Sequence, residues 1–434
     1  MIASENHTLP PIHVIGIGLP PDGLLPSLPE IALNADVLVA GKKLLDLLPA
    51  FAGEKIPVTA DTASLFQKLR QGRESGKRQC VLCSGDPLFF GLGARLSEAL
   101  GPQALLLHPG LSSMQAAAAL LGRPWENFRA LSLHGRASRL PLARGLMSGA
   151  PLFILTDAAN GPADIAAWML ERGLDRHSIF VLEDLRQTPD GSVQAGRCKG
   201  LSPRQALMCP VPAQGTRQVL ILDPPPEPAP GLFGLRDEDI AHEKGIFSKQ
   251  SIRAAALSAL GPAPHHVIWD LGAGSGAVAL EAAGLAREGL VVAVESKASR
   301  LALIAENRRR FGVANLEIVA GHMPDCLPVA PLMSALGQEE ILRLPPDRIF
   351  MGGGLGGEQG DEILKRAWAA LKPGGRLLAS CVLLNSLERV RSGLLALGAQ
   401  PDITCLQVSH SSPLAGDMRL EALNPVFLVL AEKT

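Results

Sequence analysis

The stretch Val267-Ile268-Trp269-Asp270-Leu271-Gly272-Ala273-Gly274-Ser275-Gly276 decides the fold of the C-terminal half. Its apolar residues predict a short buried strand, and its three alternating glycines predict a tight turn that leads into a helix. Because glycine has no Cβ, the backbone of such a turn can approach a ligand closely. The next apolar run ends in Glu295, whose carboxylate is placed to accept hydrogen bonds from two ribose hydroxyls. The stretch therefore predicts a nucleotide-binding βα unit.

Two cofactors fit this turn. Gly272-x-Gly274-x-x-Ala277 also satisfies the looser pattern for NAD. Asp270, however, can receive an α-ammonium group, and Gly276 adds a third position of close approach. The segment Leu371-Lys372-Pro373-Gly374-Gly375-Arg376 is a helix–turn–strand junction frequent in S-adenosylmethionine (SAM) methyltransferases. Together these features favour SAM over NAD.

A second glycine-rich segment, Cys83-Ser84-Gly85-Asp86-Pro87-Leu88-Phe89-Phe90-Gly91, lies in the N-terminal half. By itself Ser-Gly-Asp-Pro is an ordinary turn. Between the two glycine-rich segments the proline-rich stretch 223–231 cannot continue a helix or an inner strand, and it forms a stiff spacer. We expect domains at 1–222 and 232–434, joined by this linker.

Both halves alternate apolar β-type runs with helical stretches, which is typical of α/β folds with parallel sheets. The predicted strands are 12–18, 35–40, 79–84, 104–108, 128–133, 151–156, 178–183, 217–222, 267–271, 290–295, 315–319, 347–352 and 375–381. The predicted helices include 60–71, 112–121, 162–172, 250–260, 276–286, 298–311 and 360–371.

Composition excludes several classes of protein. The 434 residues suffice for two or three domains, and 41 Lys+Arg against 42 Asp+Glu leave a net charge of -1 without a long basic run or arm. We therefore expect no nucleic-acid partner. No apolar stretch approaches the roughly 18 residues of a membrane span, so no membrane partner is expected. A start without a secretory signal favours the cytoplasm.

The seven cysteines show no disulfide framework, which also favours a reducing compartment. Cys80 and Cys83 form a C-x-x-C on a predicted strand, where residues three apart face opposite sides of the sheet. They are interpreted as core residues rather than as a redox or metal pair. No metal site is predicted.

The C-terminal half resembles class I SAM methyltransferases, and within them the decarboxylating corrin-biosynthesis branch. Beside the Asp270 motif, the matching segments are Ser248-Lys249-Gln250-Ser251-Ile252-Arg253, Gly321-His322-Met323-Pro324, Phe350-Met351-Gly352-Gly353-Gly354 and Asn424-Pro425-Val426-Phe427. The resemblance implies that the first segment helps close over SAM and that the second lies against the adenine, with His322 in place of the family's acid. The implied cofactor contacts are Ser248, Asp270, Gly272, Gly274, Gly276, Glu295, His322 and Met323.

The N-terminal half resembles the tetrapyrrole methylases, and most of all their corrin C5-methylating branch. The matching segments are Val14-Ile15-Gly16-Ile17-Gly18, Ser84 to Gly91, Pro109-Gly110-Leu111-Ser112-Ser113, Ser132-Leu133-His134-Gly135-Arg136, Leu155-Thr156-Asp157 and Glu183-Asp184-Leu185. In isolation the two serines are most simply N-caps of a helix. The resemblance implies a SAM between two α/β lobes, with contacts from Gly16, Gly18, Gly85, Asp86, Leu88, Ser112, Ser113 and Thr156.

The fold expected from both resemblances is α/β: a two-lobed tetrapyrrole-methylase fold followed by a doubly wound, Rossmann-like class I methyltransferase. They imply a bifunctional enzyme of cobalamin biosynthesis with two SAM sites, which methylates a precorrin at C5 and C15 and decarboxylates its C12 acetate. Both related families assemble as homo-oligomers, so we expect one here.

The implied substrate is an acidic tetrapyrrole, so cationic side chains should contact its carboxylates. The candidates are His134, Arg136, Lys249 and Arg253. Ser251 stands where the family has a glutamate, and the sequence identifies no catalytic acid or base.

Three alternatives stay open at this point. The C-terminal half also resembles some tRNA base methyltransferases, and its glycine turn is compatible with an NAD-linked oxidoreductase. One half could instead be a non-catalytic docking module.

Overall fold

The computed structural model of the chain describes residues 9–20, 28–210, 218–227, 231–243, 248–327 and 344–434. The chain divides into two compact units. Unit 1 comprises Met1–Ser132, Phe180–Lys199 and Pro212–Leu220, and unit 2 comprises Leu133–Ile179, Gly200–Val211 and Ile221–Thr434. Residues 133–179 thus group with the C-terminal half. The expected domain limits, 1–222 and 232–434, stay a prediction, and residues 228–230 of the proposed linker lie outside the described part.

The main sheet of unit 1 is parallel and has the order β3-β2-β4-β1-β5. Its strands are β1 Ile12–Gly16, β2 Val37–Ala40, β3 Glu54–Pro57, β4 Gln79–Cys83 and β5 Leu105–His108, and its helices are α1 Glu30–Leu33, α2 Lys42–Asp46, α3 Thr62–Glu74, α4 Leu92–Leu100 and α5 Ser113–Leu121. Strands β2 and β4 are buried along their whole length, because a separate apolar cluster packs on each face of the sheet.

The two cysteines of β4 belong to different clusters of that core. Cys83 packs with one cluster and Cys80 with the other. Burial raises the pKa of the Cys80 thiol to about 12 and that of Cys83 to about 11. Both thiols are therefore protonated at neutral pH, and the interpretation as core residues is confirmed.

The rest of the N-terminal half adds strands, a short hairpin and three helices. They are β6 Arg129–Ser132, α6 Leu140–Met147, β7 Leu152–Leu155, α7 Pro162–Glu171, β8 Ser178–Glu183, β9 Arg186–Gln187, β10 Val193–Gln194, β11 Arg197–Leu201, α8 Pro203–Ala206 and β12 Gln218–Asp223.

The C-terminal half holds a seven-stranded sheet of order β15-β14-β13-β16-β17-β21-β18. Its elements are α9 Gln250–Leu260, β13 Val267–Leu271, α10 Ala277–Leu285, β14 Leu290–Glu295, α11 Ala298–Phe311, β15 Leu316–Ala320, β16 Arg348–Met351, α12 Gly360–Ala370, β17 Arg376–Cys381, α13 Leu384–Ala396, β18 Asp402–Leu406, β19 Ser409–Leu414, β20 Asp417–Ala422 and β21 Val426–Glu432. Strand β21 runs antiparallel to both its neighbours, and the other pairs are parallel.

The order of this sheet places its ligand crevice. Strand β13 has β14 on one side and β16 on the other, so the chain reverses its winding there. In open α/β sheets, ligands bind beyond the carboxyl ends of the strands at such a switch point. The turn that follows β13 is the glycine turn singled out from the sequence. The expected doubly wound α/β class is confirmed, and no helix in the described part of the chain combines the length and apolar character that a bilayer crossing requires.

Candidate active sites

The glycine turn after β13 depends on backbone conformations that other residues rarely adopt. Gly272, Gly274 and Gly276 have φ angles of 74°, 59° and 78°. A Cβ on Gly272 would lie 3.0 Å from backbone atoms of Gly353, the residue that follows β16 by two positions. The turn and the Gly352-Gly353 loop therefore pack backbone against backbone, which leaves no room for side chains.

Asp270 is a buried acid whose carboxylate oxygens have no hydrogen-bond partner among the described residues. The residue is 2% exposed. Burial raises the pKa of Asp270 to about 7; the backbone of Ala279 opposes the shift and nearby Glu295 adds to it. A buried carboxylate without a hydrogen bond of normal geometry is costly, so its presence beside the turn points to a cationic group of a ligand. This observation fits the predicted α-ammonium contact.

Glu295 stands at the end of β14, across the turn from Asp270. Its Oε2 accepts a hydrogen bond from the Gly274 backbone at 2.9 Å, and its Oε1 accepts from the backbones of Ser296 and Lys297 at 2.8 and 3.0 Å. The carboxylate thus fixes both the turn and the start of α11. Each oxygen of a carboxylate has two lone pairs, so Oε2 keeps one for a ribose hydroxyl, whereas Oε1 already accepts two backbone hydrogen bonds.

The segment expected to lie beside an adenine is next to the same turn. A Cβ on Gly354 would come within 3.1 Å of the Met323 Cε, so Met323 packs on the loop that also contacts Gly272. Met323 is half-buried against the core, whereas the His322 side chain is exposed. The structure thus brings Met323 to the turn and leaves His322 facing outward.

Arg253 corrects one of the predictions. Its side chain is 0% exposed. Its Nε donates to Glu281 at 2.8 Å, its Nη1 donates to Asp237 at 2.8 Å and to the Ser248 carbonyl at 2.7 Å, and its Nη2 donates to the Leu235 carbonyl. The predicted substrate contact is wrong, because every nitrogen of this guanidinium is committed inside the protein.

The same hydrogen-bond network fixes the backbone at Ser248 and Lys249, the other two predicted contacts of this segment. The Ser248 carbonyl is held by Arg253, and Lys249 is the half-buried N-cap residue of α9. Gln250 donates its backbone N–H to Asp237 at 2.9 Å. The Ser248 and Lys249 backbone is therefore anchored, and both residues stay candidates.

In unit 1, four glycines join the ends of three strands. A Cβ on Gly16 would lie 2.6 Å from the Gly85 carbonyl oxygen and 2.7 Å from the Gly110 nitrogen. Gly85 donates to the Gly18 carbonyl at 2.7 Å, and both have positive φ angles, 72° and 64°. The loops that follow β1, β4 and β5 consequently meet without side chains between them.

Asp86 braces this junction. Its Oδ1 accepts from the Leu88 backbone at 2.8 Å and its Oδ2 from the Gly110 backbone at 3.3 Å. Leu88 is 53% exposed beside it. Ser112 caps α5 in a reciprocal pair with Gln115, which confirms the N-cap interpretation, and the helix begins at the next residue, Ser113. The predicted contacts of this group thus share one loop cluster in unit 1.

The other predicted residues of the N-terminal half lie in unit 2 and also cluster. The Nδ1 of His134 is 3.3 Å from the Thr156 carbonyl oxygen. Asp157 accepts from the Gly135 backbone at 2.6 Å, and Asn160 donates to the Arg136 carbonyl at 3.1 Å. His134 and Arg136 are exposed and Thr156 is buried. His134 and Arg136 therefore stand on one loop beside Thr156.

Comparison with known proteins matches one family model to each half of the chain. A model described as "Precorrin methyltransferase domain" matches residues 239–433, and one described as "Tetrapyrrole (Corrin/Porphyrin) Methylases" matches residues 11–186. A precorrin-6Y C(5,15)-methyltransferase (decarboxylating) from Sinorhizobium sp is 30% identical over 418 residues, which are 94% of this chain and 92% of the relative. The chain belongs to the precorrin-6Y C5,15-methyltransferase family.

Two relatives from Salmonella typhimurium each match less than half of the chain. One is a cobalt-precorrin-7 C(5)-methyltransferase, 33% identical over 40% of this chain and 85% of its own length. The other is a cobalt-precorrin-6B C(15)-methyltransferase (decarboxylating), 33% identical over 46% of this chain and 96% of its own length. Membership in the precorrin-6Y C5,15-methyltransferase family decides against the tRNA methyltransferase and NAD oxidoreductase alternatives.

Sequence reasoning missed one residue that supports the C-terminal glycine turn. Asn307 of α11 is 0% exposed and donates to the carbonyls of Ser275 and Ala241, both at 2.9 Å, while its own oxygen accepts from the Ala241 backbone at 2.9 Å. It thereby ties the glycine turn to the segment before α9. An asparagine inside a helix was a signal, since its intrinsic helix propensity is low.

Proposed function

We propose that the chain binds SAM at two sites and transfers methyl groups to C5 and C15 of a precorrin, with decarboxylation of the C12 acetate. The observation that carries the C-terminal assignment is the unpartnered carboxylate of Asp270 beside a three-glycine turn. An NAD phosphate would meet this buried acid unfavourably, whereas the α-ammonium of SAM complements it.

Named side chains divide the binding of SAM in the C-terminal site. Asp270 holds the α-ammonium, Glu295 accepts from a ribose hydroxyl through its Oε2, and Met323 offers an apolar wall. When bound, SAM supplies an activated methyl group that an electron-rich bridge carbon attacks directly. The contribution of the chain is therefore to align the two reactants and exclude water, and no protein nucleophile is required.

The glycine junction of unit 1 supports the second site. Gly16, Gly18 and Gly85 keep side chains away from the strand ends, and Asp86 holds the loop in place. Thr156 lies in unit 2, and its predicted SAM contact stays a prediction. We assign C5 methylation to the N-terminal half, and C15 methylation with decarboxylation to the C-terminal half.

Cationic side chains are proposed to bind the carboxylates of the precorrin. His134 and Arg136 are exposed on one loop, and Lys249 lies where α9 begins. Charge-assisted hydrogen bonds from such groups would fix the orientation of the macrocycle. During decarboxylation the conjugated ring accepts the electron pair of the breaking bond, so these residues orient the acetate and need not supply an electron sink.

The pKa of Asp270 predicts the pH dependence of SAM binding. An aspartate whose pKa is about 7 is largely protonated at pH 6, and a protonated acid does not hold an ammonium. We expect the dissociation constant of the C-terminal site to rise about tenfold for each pH unit below 7, down to the lower pKa of the complex. Titration calorimetry between pH 5.5 and 8 measures it.

Asp270→Asn is the control for this pH dependence. In the variant, SAM binding at the C-terminal site should be weak and independent of pH. Because the folded-state pKa is above the ordinary value of 3.8, ionisation of Asp270 destabilises the fold as pH rises through about 7. Asn should therefore raise the free energy of unfolding at pH 8 while it lowers SAM affinity. If SAM affinity at the C-terminal site kept the same pH dependence in the variant, Asp270 would not be the group that binds the α-ammonium.

The reaction itself tests the proposed function. The purified chain is incubated with the reduced corrin precursor and methyl-labelled SAM, and the product is weighed by mass spectrometry. We expect a gain of two labelled methyl groups and the loss of one carbon dioxide. A product with two methyl groups and an intact acetate would contradict the decarboxylation, and an unmodified substrate would contradict the function.

We also propose that the protein works in the cytoplasm as a homo-oligomer. All seven cysteines are free, as expected in a reducing compartment. The β19–β20 hairpin exposes Leu414, Met418 and Leu420, which suits a contact between subunits. Native mass spectrometry would count the subunits.

A further inference from the structure

A buried arginine connects residues 133–179 of the N-terminal half to the C-terminal half. Arg172, which follows α7, is 1% exposed. Its Nη2 donates to both oxygens of Glu317 on β15, at 2.9 and 3.0 Å. Its guanidinium lies 4.0 Å from the ring centroid of Trp168. A buried arginine with a two-pronged carboxylate contact and an aromatic ring on its face is typical of a specific interface.

A second ion pair crosses the same contact, with the arginine now on the C-terminal side and the glutamate on the N-terminal side. Arg308 of α11 donates to Glu171 at 2.7 Å and to the Leu316 carbonyl at 3.3 Å. The Arg308 side chain is 6% exposed. Each side thus contributes one arginine and one glutamate to these two ion pairs, so the charges of the four side chains are complementary.

The backbones also touch beside these ion pairs. Gly173 has a φ angle of 73°, and a Cβ on it would lie 1.8 Å from the carbonyl oxygen of Arg309. Across from it, a Cβ on Gly312 would lie 3.5 Å from Leu174. The segment after α7 therefore sits against the end of α11 without room for an added methyl group. We call Trp168, Glu171, Arg172 and Gly173, with Arg308, Arg309 and Glu317 opposite, the docking contact.

We propose that the docking contact holds the two halves of the chain together independently of the proline-rich linker. The partner that docks on the N-terminal side of this contact is the C-terminal half of the same chain. Both sides of the contact belong to unit 2. An exposed ion pair would contribute little, but Arg172 is buried and breaking such a pair leaves an uncompensated charge. The proposal does not depend on the reaction catalysed.

The test keeps the full chain until it has folded. A protease recognition sequence is inserted between Pro225 and Pro226, the purified protein is cleaved, and the fragments are followed by size-exclusion chromatography and native mass spectrometry at micromolar concentration. We expect the two fragments to stay associated. Fragments that separate completely would overturn the proposal.

Two variants locate the association at the docking contact, and each has a matched control. Glu317→Gln should weaken it about a hundredfold or more. Glu388→Gln, which changes an exposed pair with Arg391, should leave it unchanged. Gly173→Ala should also separate the fragments. Gly149→Ala should not, because Gly149 has a φ angle of 72° but no atom within 4 Å of an added Cβ.

Glu317→Gln removes a charge from the contact, whereas Gly173→Ala adds a methyl group that collides with the opposite backbone. Because the two effects are independent, one variant suffices if the other fails to fold. Loss of association in Glu317→Gln or Gly173→Ala, with both controls intact, supports the proposal. Association as tight as in the unmodified protein in the folded variants would overturn it, because another surface would then hold the halves.

Discussion

Arg253→Met is expected to lower the free energy of unfolding by about 3–5 kcal/mol, since it leaves a buried charge without its partner. Glu281 is 0% exposed and faces the Arg253 Nε at 2.8 Å. The substitution also removes the donors to Asp237 and to the Ser248 carbonyl, which fix the start of α9. Chemical denaturation of the full chain, monitored by circular dichroism, measures the loss.

Arg391→Met is the matched control. Arg391 pairs with Glu388 on the exposed face of α13, so the same substitution should leave the free energy of unfolding almost unchanged. A residue that contacted substrate would show the reverse behaviour, with normal stability and a raised KM. Equal unfolding midpoints for the two variants would restore Arg253 as a candidate for substrate binding and contradict our correction.

Gly16→Ala is expected to slow C5 methylation at least a hundredfold, because displacements of about 1 Å at a reaction site have effects of that size. The added Cβ would lie 2.6 Å from the Gly85 carbonyl oxygen and 2.7 Å from the Gly110 nitrogen, so the loops must separate. The C-terminal site is unaffected by this change. The product should therefore carry one new methyl group and lack one carbon dioxide, which mass spectrometry distinguishes directly.

Gly41→Ala provides the comparison within unit 1. Gly41 has a φ angle of -60° and no atom within 4 Å of an added Cβ. Both methylations should proceed normally in this variant. If Gly16→Ala also gave the doubly methylated product at the normal rate, the glycine junction would not be part of the C5 site.

The features predicted well from the sequence are local ones. Strands 178–183, 267–271 and 290–295 and helices 250–260 and 298–311 have the bounds predicted for them. Each is a continuous apolar or periodic run, and all of them except 178–183 have a glycine directly beside one end. The glycine turn and its two acids followed from the same local pattern.

Elements without such a pattern escaped prediction. The β19–β20 hairpin is almost wholly exposed, and the short polar–apolar alternation of β20 has no counterpart in β19. Strand β3 has no fully buried residue. Strands β18 and β21 complete the sheet by antiparallel pairing, which depends on contacts distant in sequence.

The burial of Arg253 shows why side-chain roles were harder to predict than elements. A motif states which residue types occur together, whereas burial depends on segments such as the one that carries Asp237. The contribution of Asn307 likewise arises only when α11 reaches the glycine turn. Grouping of residues 133–179 with the C-terminal half also depends on tertiary contacts, including the buried Arg172–Glu317 pair.

The number of SAM molecules bound per chain tests the central claim most directly. Equilibrium dialysis of the full chain against labelled SAM at pH 8 should give two per chain, falling to one in Asp270→Ala and to one in Gly16→Ala. The double variant should bind none. A limiting value of one in the unmodified chain would contradict the claim that each half holds its own methyl donor.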